Sequence, residues 1–300
     1  MRPPERGLSD SGYVRSMTRQ TISSRALGGE VRVGDLTVRR MGFGAMRITG
    51  EGVWGEPRDR GDALRLLRHV VERGVNFIDT ADSYGPHVSE ELIAEALAPY
   101  PEGLVIATKG GFVRPGPGRW VVDARPERLR ECVEGSLRRL KLERIDLYQL
   151  HRIDPKVPAE ESLGVLVELQ REGKIRHIGI SETNVEEYER CRRAAPVVSV
   201  QNLYNVDDRG SEDVLEACER DGVAFLPWYP LAGSGSPKHA ALTRIAREKA
   251  ATPAQIALAW LLARSPRMLP IPGTSSLAHF DENLAAAEIE LTPDDLAALG

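Results

Sequence analysis

Four side chains able to pass one proton among themselves follow three short apolar runs. Asp79 and Tyr84 follow the run 75–78, Lys109 follows 104–107, and His151 follows 145–150. If each run is a strand of one parallel sheet, ~4.8 Å from its neighbour, the groups at the strand ends can meet despite their separation along the chain. A free tyrosine titrates near ~10, too high for efficient acid catalysis close to neutrality. A neighbouring ammonium favours the phenolate and lowers that value. Lys109 can supply the ammonium, with Asp79 holding it in place. Tyr84 then serves as a general acid toward a carbonyl oxygen on which negative charge develops. His151 can donate a hydrogen bond to the same oxygen. The set fits reduction of a carbonyl by an incoming hydride.

Positioning these groups needs a closed arrangement of strands. From Val31 onward, apolar runs of four to seven residues alternate with helical patterns, the further runs lying at 38–43, 175–180, 197–200, 223–226 and 268–271. They are β-branched or Leu-rich and mostly do not alternate, as expected of strands buried on both faces. Helical patterns cover 62–73, 89–97 with Ser89 as a cap, 126–140 opened by Pro126, 160–172, 185–193, 212–221, 253–263 and 277–287. Eight strands separated by helices imply right-handed parallel crossovers. No G-x-G-x-x-G follows a strand. The α/β architecture expected is therefore a (β/α)₈ TIM barrel, preceded by a hairpin turning at Gly34-Asp35. Residues 21–300 read as this single domain, and residues 1–20 as a disordered extension in which Met17 is a second candidate start.

Composition narrows the function classes. The chain has 300 residues, 41% of them apolar, and a net charge of −4. Nothing supplies the basic field that non-specific nucleic-acid binding requires, and no uninterrupted apolar stretch is long enough to span a membrane. Three cysteines (Cys132, Cys191 and Cys218) form no disulfide framework and show no metal spacing, so a reducing, cytoplasmic setting and no metal are expected.

The motifs "NFIDTADSYG" (76–85), "ATKGG" (107–111), "IDLYQLHRID" (145–154), "GKIRHIGIS" (173–181), "VQNLYN" (201–206) and "IPGTSSLAHFDEN" (271–283) resemble the aldo-keto reductase superfamily from about Val31 to the C-terminus. The resemblance implies a barrel that binds NADPH, in preference to NADH, without a Rossmann domain. It implies a catalytic tetrad at Asp79, Tyr84, Lys109 and His151. Gly44, Ala45 and Met46, with Asp79, fall where the family contacts the nicotinamide half. Ser181 and Gln201 match the carboxamide pair, and Trp228 the ring that stacks on the nicotinamide. Pro230, Leu231 and Gly233 continue the cofactor segment. Gly273, Thr274, Ser275 and His279 fall at the adenosine phosphate site, and Glu282 and Asn283 at the adenine. Three positions depart from the common pattern. Glu182 replaces an Asn and can accept but not donate, and Gly273 and His279 replace a Lys and an Arg. Within the superfamily, "GFGAMRITGEGVWGEPRDR" (42–60) and "YGPHVSEELIAEAL" (84–97) resemble bacterial pyridoxal reductases, which implies pyridoxal as one candidate among small carbonyl substrates.

Around this core, Trp54, His87 and Trp120 are candidates to wall the substrate space. Arg114 and Arg119 leave open an anionic or phosphorylated substrate. Asp82 reads as a turn former or solvated loop residue, and Trp260 as core. Two further roles stay open: a cofactor-binding regulatory subunit with slow turnover, and an alcohol dehydrogenase running toward oxidation. Physiological direction and oligomeric state are not readable from the residues.

Overall fold

The computed structural model describes residues 27–231 and 238–300. The expected disorder of residues 1–20 lies outside the described residues. Strands β1 (Glu30–Val33) and β2 (Leu36–Arg39) form the expected antiparallel hairpin. Seven parallel strands follow: β3 (Phe43–Gly44), β4 (Phe77–Asp79), β5 (Val105–Gly110), then β8 (Ile145–Leu150), β9 (Ile175–Ser181), β10 (Val197–Leu203) and β11 (Ala224–Trp228). Between β5 and β8, β6 (Phe112–Gly116) and β7 (Arg119–Val122) make a second antiparallel hairpin. That segment reads from sequence as an irregular loop, because Pro115, Gly116, Pro117 and Gly118 obscure its short strands.

The eighth stave was expected as a strand at 268–271. It is instead an extended segment that bonds to both edges of the sheet. Leu269 N donates to Phe225 O at 2.8 Å, and Gly42 N donates to Pro270 O at 2.9 Å. Pro270 and Pro272 have no N–H to give, so no regular ladder forms, yet the ring closes. Gly42 and Gly44 permit the approach. A Cβ on Gly44 would lie 2.6 Å from Ile271 O.

Helices α1 (Arg60–Glu72), α2 (Val88–Leu97), α3 (Pro126–Leu140), α4 (Ala159–Arg171), α5 (Val185–Ala194), α6 (Glu212–Asp221), α7 (His239–Glu248), α8 (Pro253–Arg264), α9 (Leu277–Ala285) and α10 (Pro293–Leu299) accompany the strands. Pro126 opens α3 as expected, and Gly222, at φ 72°, ends α6. Ser89 is not the α2 cap. It lies inside the first turn, where its hydroxyl donates to Ala45 O and accepts from Thr80 Oγ1, tying α2 to the ends of β3 and β4. Val31, Val33 and Val38 of the first hairpin share a buried cluster with Phe77, Val105, Leu147, Leu226 and Leu269. The hairpin thus packs on the apolar barrel interior. The chemistry is left for the opposite, C-terminal ends of the strands.

Candidate active site

Alternation along the strands aims the polar residues. Phe77 faces the interior cluster, so Asp79, two residues on, does too; Val105 and Ala107 place Lys109, and Leu147 places Gln149. These side chains converge. Lys109 Nζ donates to Asp79 Oδ2 at 2.6 Å and to Thr80 O at 2.8 Å, and lies 3.5 Å from Tyr84 OH. The other Asp79 oxygen accepts from Gln149 Nε2 and Gln201 Nε2, both at 3.0 Å. Asp79 is thus held by three strands besides its own, and Lys109 is entirely buried. Burial works against the ammonium, but Asp79 and Tyr84 outweigh it and raise the Lys109 pKa.

The direction expected for Tyr84 is reversed. Burial pushes the phenol above its usual value. Lys109 pulls it down, Asp79 pushes it up, and the net shift is upward. Tyr84 therefore holds its proton at neutral pH and can deliver it. His151, also buried, is held well below its usual value by burial and by the charges of Lys109 and Arg152. Its imidazole is neutral at pH 7. Ser83 Oγ faces its Nδ1 at 3.5 Å; in the tautomer in which that hydroxyl donates to Nδ1, Nε2 carries the proton. The Tyr84 and His151 rings stand edge to face, 5.9 Å between centroids.

These groups open into a cavity of about 600 Å³. Phe112, Trp120 and Arg152 wall it beside Tyr84 and His151, and Trp228, Tyr229, Pro230 and Leu231 continue the wall. Of the residues expected to wall the substrate space, Tyr84 and Trp120 line the cavity, and Trp54 and His87 do not. Trp54 lies outside the lining, with Arg114 above its ring at 5.4 Å. His87 is also outside, at the start of α2 with φ 74°, its backbone N bonded to Asp82 O. Arg114 does not face the cavity as an anion site. Its guanidinium stacks on Trp120 at 3.5 Å and donates to Ser83 O and Val53 O, so it braces the loop that carries Tyr84. Arg119 is exposed and outside the lining. Asp82 is buried, not solvated. Burial and the Glu90 charge push its carboxyl up to about 7.

The other half of the cavity carries the expected cofactor positions. Gly44, Met46, Ser181, Gln201, Trp228 and Gly273 line it, whereas Ala45 is buried behind the wall and Gly233 lies outside the described residues. Glu182 acts as a strut: its carboxylate accepts from Leu203 N at 2.7 Å and from Trp228 Nε1. That fixes the indole ring at the cavity edge. A Cβ on Gly273 would lie 2.7 Å from Gly44 O, so the Lys common in relatives has no room on this backbone. Arg47, exposed and without an ion pair among the described residues, lines the cavity beside Gly273, its Cγ 3.6 Å from that Cβ position. Thr274 and Ser275 follow at the surface and lead into α9, capped by Ser276. His279 is exposed, Asn283 is buried, and Glu282 accepts from Thr252 Oγ1 at 2.6 Å. Sequence reasoning missed Arg47, Phe112, Gln149, Arg152 and Tyr229. Gln149 and Arg152 flank the predicted His151 in "YQLHR", and strand alternation alone could have placed Gln149 inside.

A buried acid-ammonium-phenol cluster at the mouth of an α/β barrel defines a class of enzyme suited to moving a proton onto a buried carbonyl oxygen. The sequence profile described as the Aldo/keto reductase family matches residues 40–300. The chain is 51% identical over 272 residues to an uncharacterized oxidoreductase (C215.11c) of Schizosaccharomyces pombe, covering 90% of this chain and 89% of the relative. It is 42% identical over 273 residues to pyridoxine 4-dehydrogenase of Escherichia coli, covering 89% and 96%. Among solved structures, an aldo/keto reductase from Klebsiella pneumoniae in complex with NADP and acetate matches with a TM-score of 0.78 at 29% identity, covering 90% of this chain and 93% of that one. The chain belongs to the aldo/keto reductase family.

Proposed function

We propose that this protein is an NADPH-dependent reductase of aldehydes or ketones, with pyridoxal a leading candidate substrate. The observation that carries the reading is the Lys109 ammonium, buried between Asp79 and Tyr84, beside a neutral His151 at the floor of the cavity. Pyridoxal is supported by the 42% identity to a pyridoxine 4-dehydrogenase.

The residues fit the cofactor. Ser181 and Gln201 offer a hydroxyl and an amide where the nicotinamide would lie, and Trp228 a ring held by Glu182. Gly273, Thr274 and Ser275 lead into a helix start that favours anions, with Arg47 as the neighbouring cation. When bound, NADPH supplies the hydride. The protein does the rest. His151 donates Nε2–H to the carbonyl oxygen and orients it. Tyr84 transfers its phenolic proton to that oxygen as negative charge develops there. Lys109 stabilises the resulting phenolate, and Asp79, anchored by Gln149 and Gln201, keeps the ammonium in place. Phe112 and Trp120 exclude water, which strengthens each of these interactions. The three described cysteines are free and buried, in keeping with a reducing cytoplasm. No helix among the described residues is long and apolar enough to cross a membrane.

The test is Tyr84→Phe. We expect NADPH to quench tryptophan fluorescence as in the wild type, while turnover of pyridoxal and 4-nitrobenzaldehyde falls by at least about a hundredfold. Retained turnover overturns the role of Tyr84. A wild type that binds NADPH but reduces nothing across a carbonyl panel supports a regulatory subunit instead.

A further inference from the structure

Arg152 is a cation that the tetrad chemistry does not use. It follows His151 and lines the cavity with Tyr84 and Phe112. Its Nη1 donates to His151 O at 2.9 Å and to Ser181 Oγ at 3.2 Å. These are neutral acceptors, and among the described residues no hydrogen-bond partner meets Nε or Nη2. No carboxylate lies within ion-pair distance of it among the described residues. Glu182, the acid whose charge reaches it, already accepts from Leu203 N and Trp228 Nε1. Some half-buried arginines of this chain meet carboxylates, as Arg139 meets Glu90 and Arg264 meets Glu212; Arg40 and Arg114 do not, but each spends its guanidinium on three or more backbone carbonyls, which Arg152 does not. A largely buried guanidinium facing a cavity without a counter-charge is costly unless a ligand supplies one.

The position of the guanidinium defines that ligand. Arg152 Cζ lies 5.8 Å from the Phe112 ring centroid, and the His151 ring lies 4.6 Å from the same centroid. Imidazole and guanidinium thus flank one aromatic wall. A carbonyl oxygen on His151 and Tyr84 places a neighbouring oxygen of the same molecule toward Arg152. Resting on the carbonyl reductase reading above, we infer that Arg152 selects substrates carrying an anionic oxygen beside the reacting carbonyl, either a 2-oxo carboxylate or an aromatic aldehyde with an ortho phenolate. The planar fork of the guanidinium suits a carboxylate or a phenolate that a neutral wall would repel.

The test, run at about pH 9 so that the salicylaldehyde phenol is ionised, uses pairs in which a methyl group removes that charge: 2-oxo-2-phenylacetate against its methyl ester, and salicylaldehyde against 2-methoxybenzaldehyde. The two pairs separate the carboxylate and phenolate sources. Wild type should prefer the charged member of at least one pair in kcat/KM. In Arg152→Met that preference should shrink by about tenfold or more, the range of a charged hydrogen bond. The loss should fall mainly on KM, and Arg152→Lys should restore part of it. NADPH affinity, read by fluorescence titration, should change little. If wild type reduces both members of each pair equally, the carbonyl reductase reading stands and the selector role fails. Equal losses on charged and neutral substrates, or a matching loss of NADPH affinity, also overturn it, by assigning Arg152 to the fold or to the cofactor. If wild type reduces none of the four nor a generic aldehyde, the reductase reading itself fails.

Discussion

Lys109 keeps its charge in full burial because two partners outweigh desolvation, and that decides how the site answers pH. Burial raises the Tyr84 pKa and lowers that of His151. The phenol stays protonated well into alkaline solution, and the imidazole stays neutral well into acid. Reduction should therefore be nearly level from about pH 6 to about pH 9, outside the range where unperturbed His and Tyr would titrate. A profile of kcat against pH checks this, and an acid limb centred near 6.5 would mean that His151 titrates as a solvated histidine. Lys109→Met removes the charge that opposes desolvation of the tyrosinate. It should lower kcat by about a hundredfold or more while leaving the fold intact by circular dichroism. At the phosphate end, Arg47→Ala should weaken NADPH binding by about tenfold, the scale of one charged contact, read by fluorescence titration. An unchanged affinity would remove Arg47 from the cofactor site.

Tyr84 sits on a turn and depends on the elements around it. Thr80 N and Asp82 N bond to Ala107 O and Lys109 O, so the turn is fastened to β5. On its outer side Arg114, presented by β6, donates to Ser83 O. A hairpin that sequence reading takes for an irregular substrate loop is thus a brace for the catalytic turn. Arg114→Ala leaves the buried Ser83 carbonyl and the part-buried Val53 carbonyl without this donor, which costs about 1–3 kcal/mol in local order. We expect kcat to drop by about tenfold with NADPH affinity unchanged, measured by steady-state kinetics and titration.

Over the whole molecule, ring closure and the buried carboxyl of Asp82 each bear on stability. Gly44 lies against Ile271 O, where the eighth stave meets the first. Gly44→Ala should destabilise by roughly 1–3 kcal/mol through overpacking, visible as a lowered urea midpoint. Asp82 is buried with its carboxyl pushed up to about 7. The folded protein therefore holds a proton that the unfolded chain releases near ~3.9. Stability from this group is full below that value and is lost as pH rises through about 7. Asp82→Asn should accordingly gain Tm relative to wild type on going from pH 5 to pH 8.5, by differential scanning fluorimetry. A constant difference between the two would show that Asp82 does not titrate in this range.

Local pattern alone determined much of this protein. Most of the β-branched runs, Pro126 before its helix, Gly222 after another and the Gly34-Asp35 turn act over a few residues and appear where the residues imply; the run 38–43 instead splits between β2 and β3, and 268–271 forms no regular strand. The barrel follows from their number and order. The positions Asp79, Tyr84, Lys109 and His151 are legible because strand ends are legible. Tertiary structure decided what depends on neighbours distant in sequence. Two prolines turn the last strand into an irregular stave, and the hairpin after β5 draws Arg114 away from the substrate space. Trp54 and His87 fall outside the cavity, and Arg152 falls inside it. The pKa directions belong to the same class, because desolvation depends on what packs over a group and not on its place in the chain.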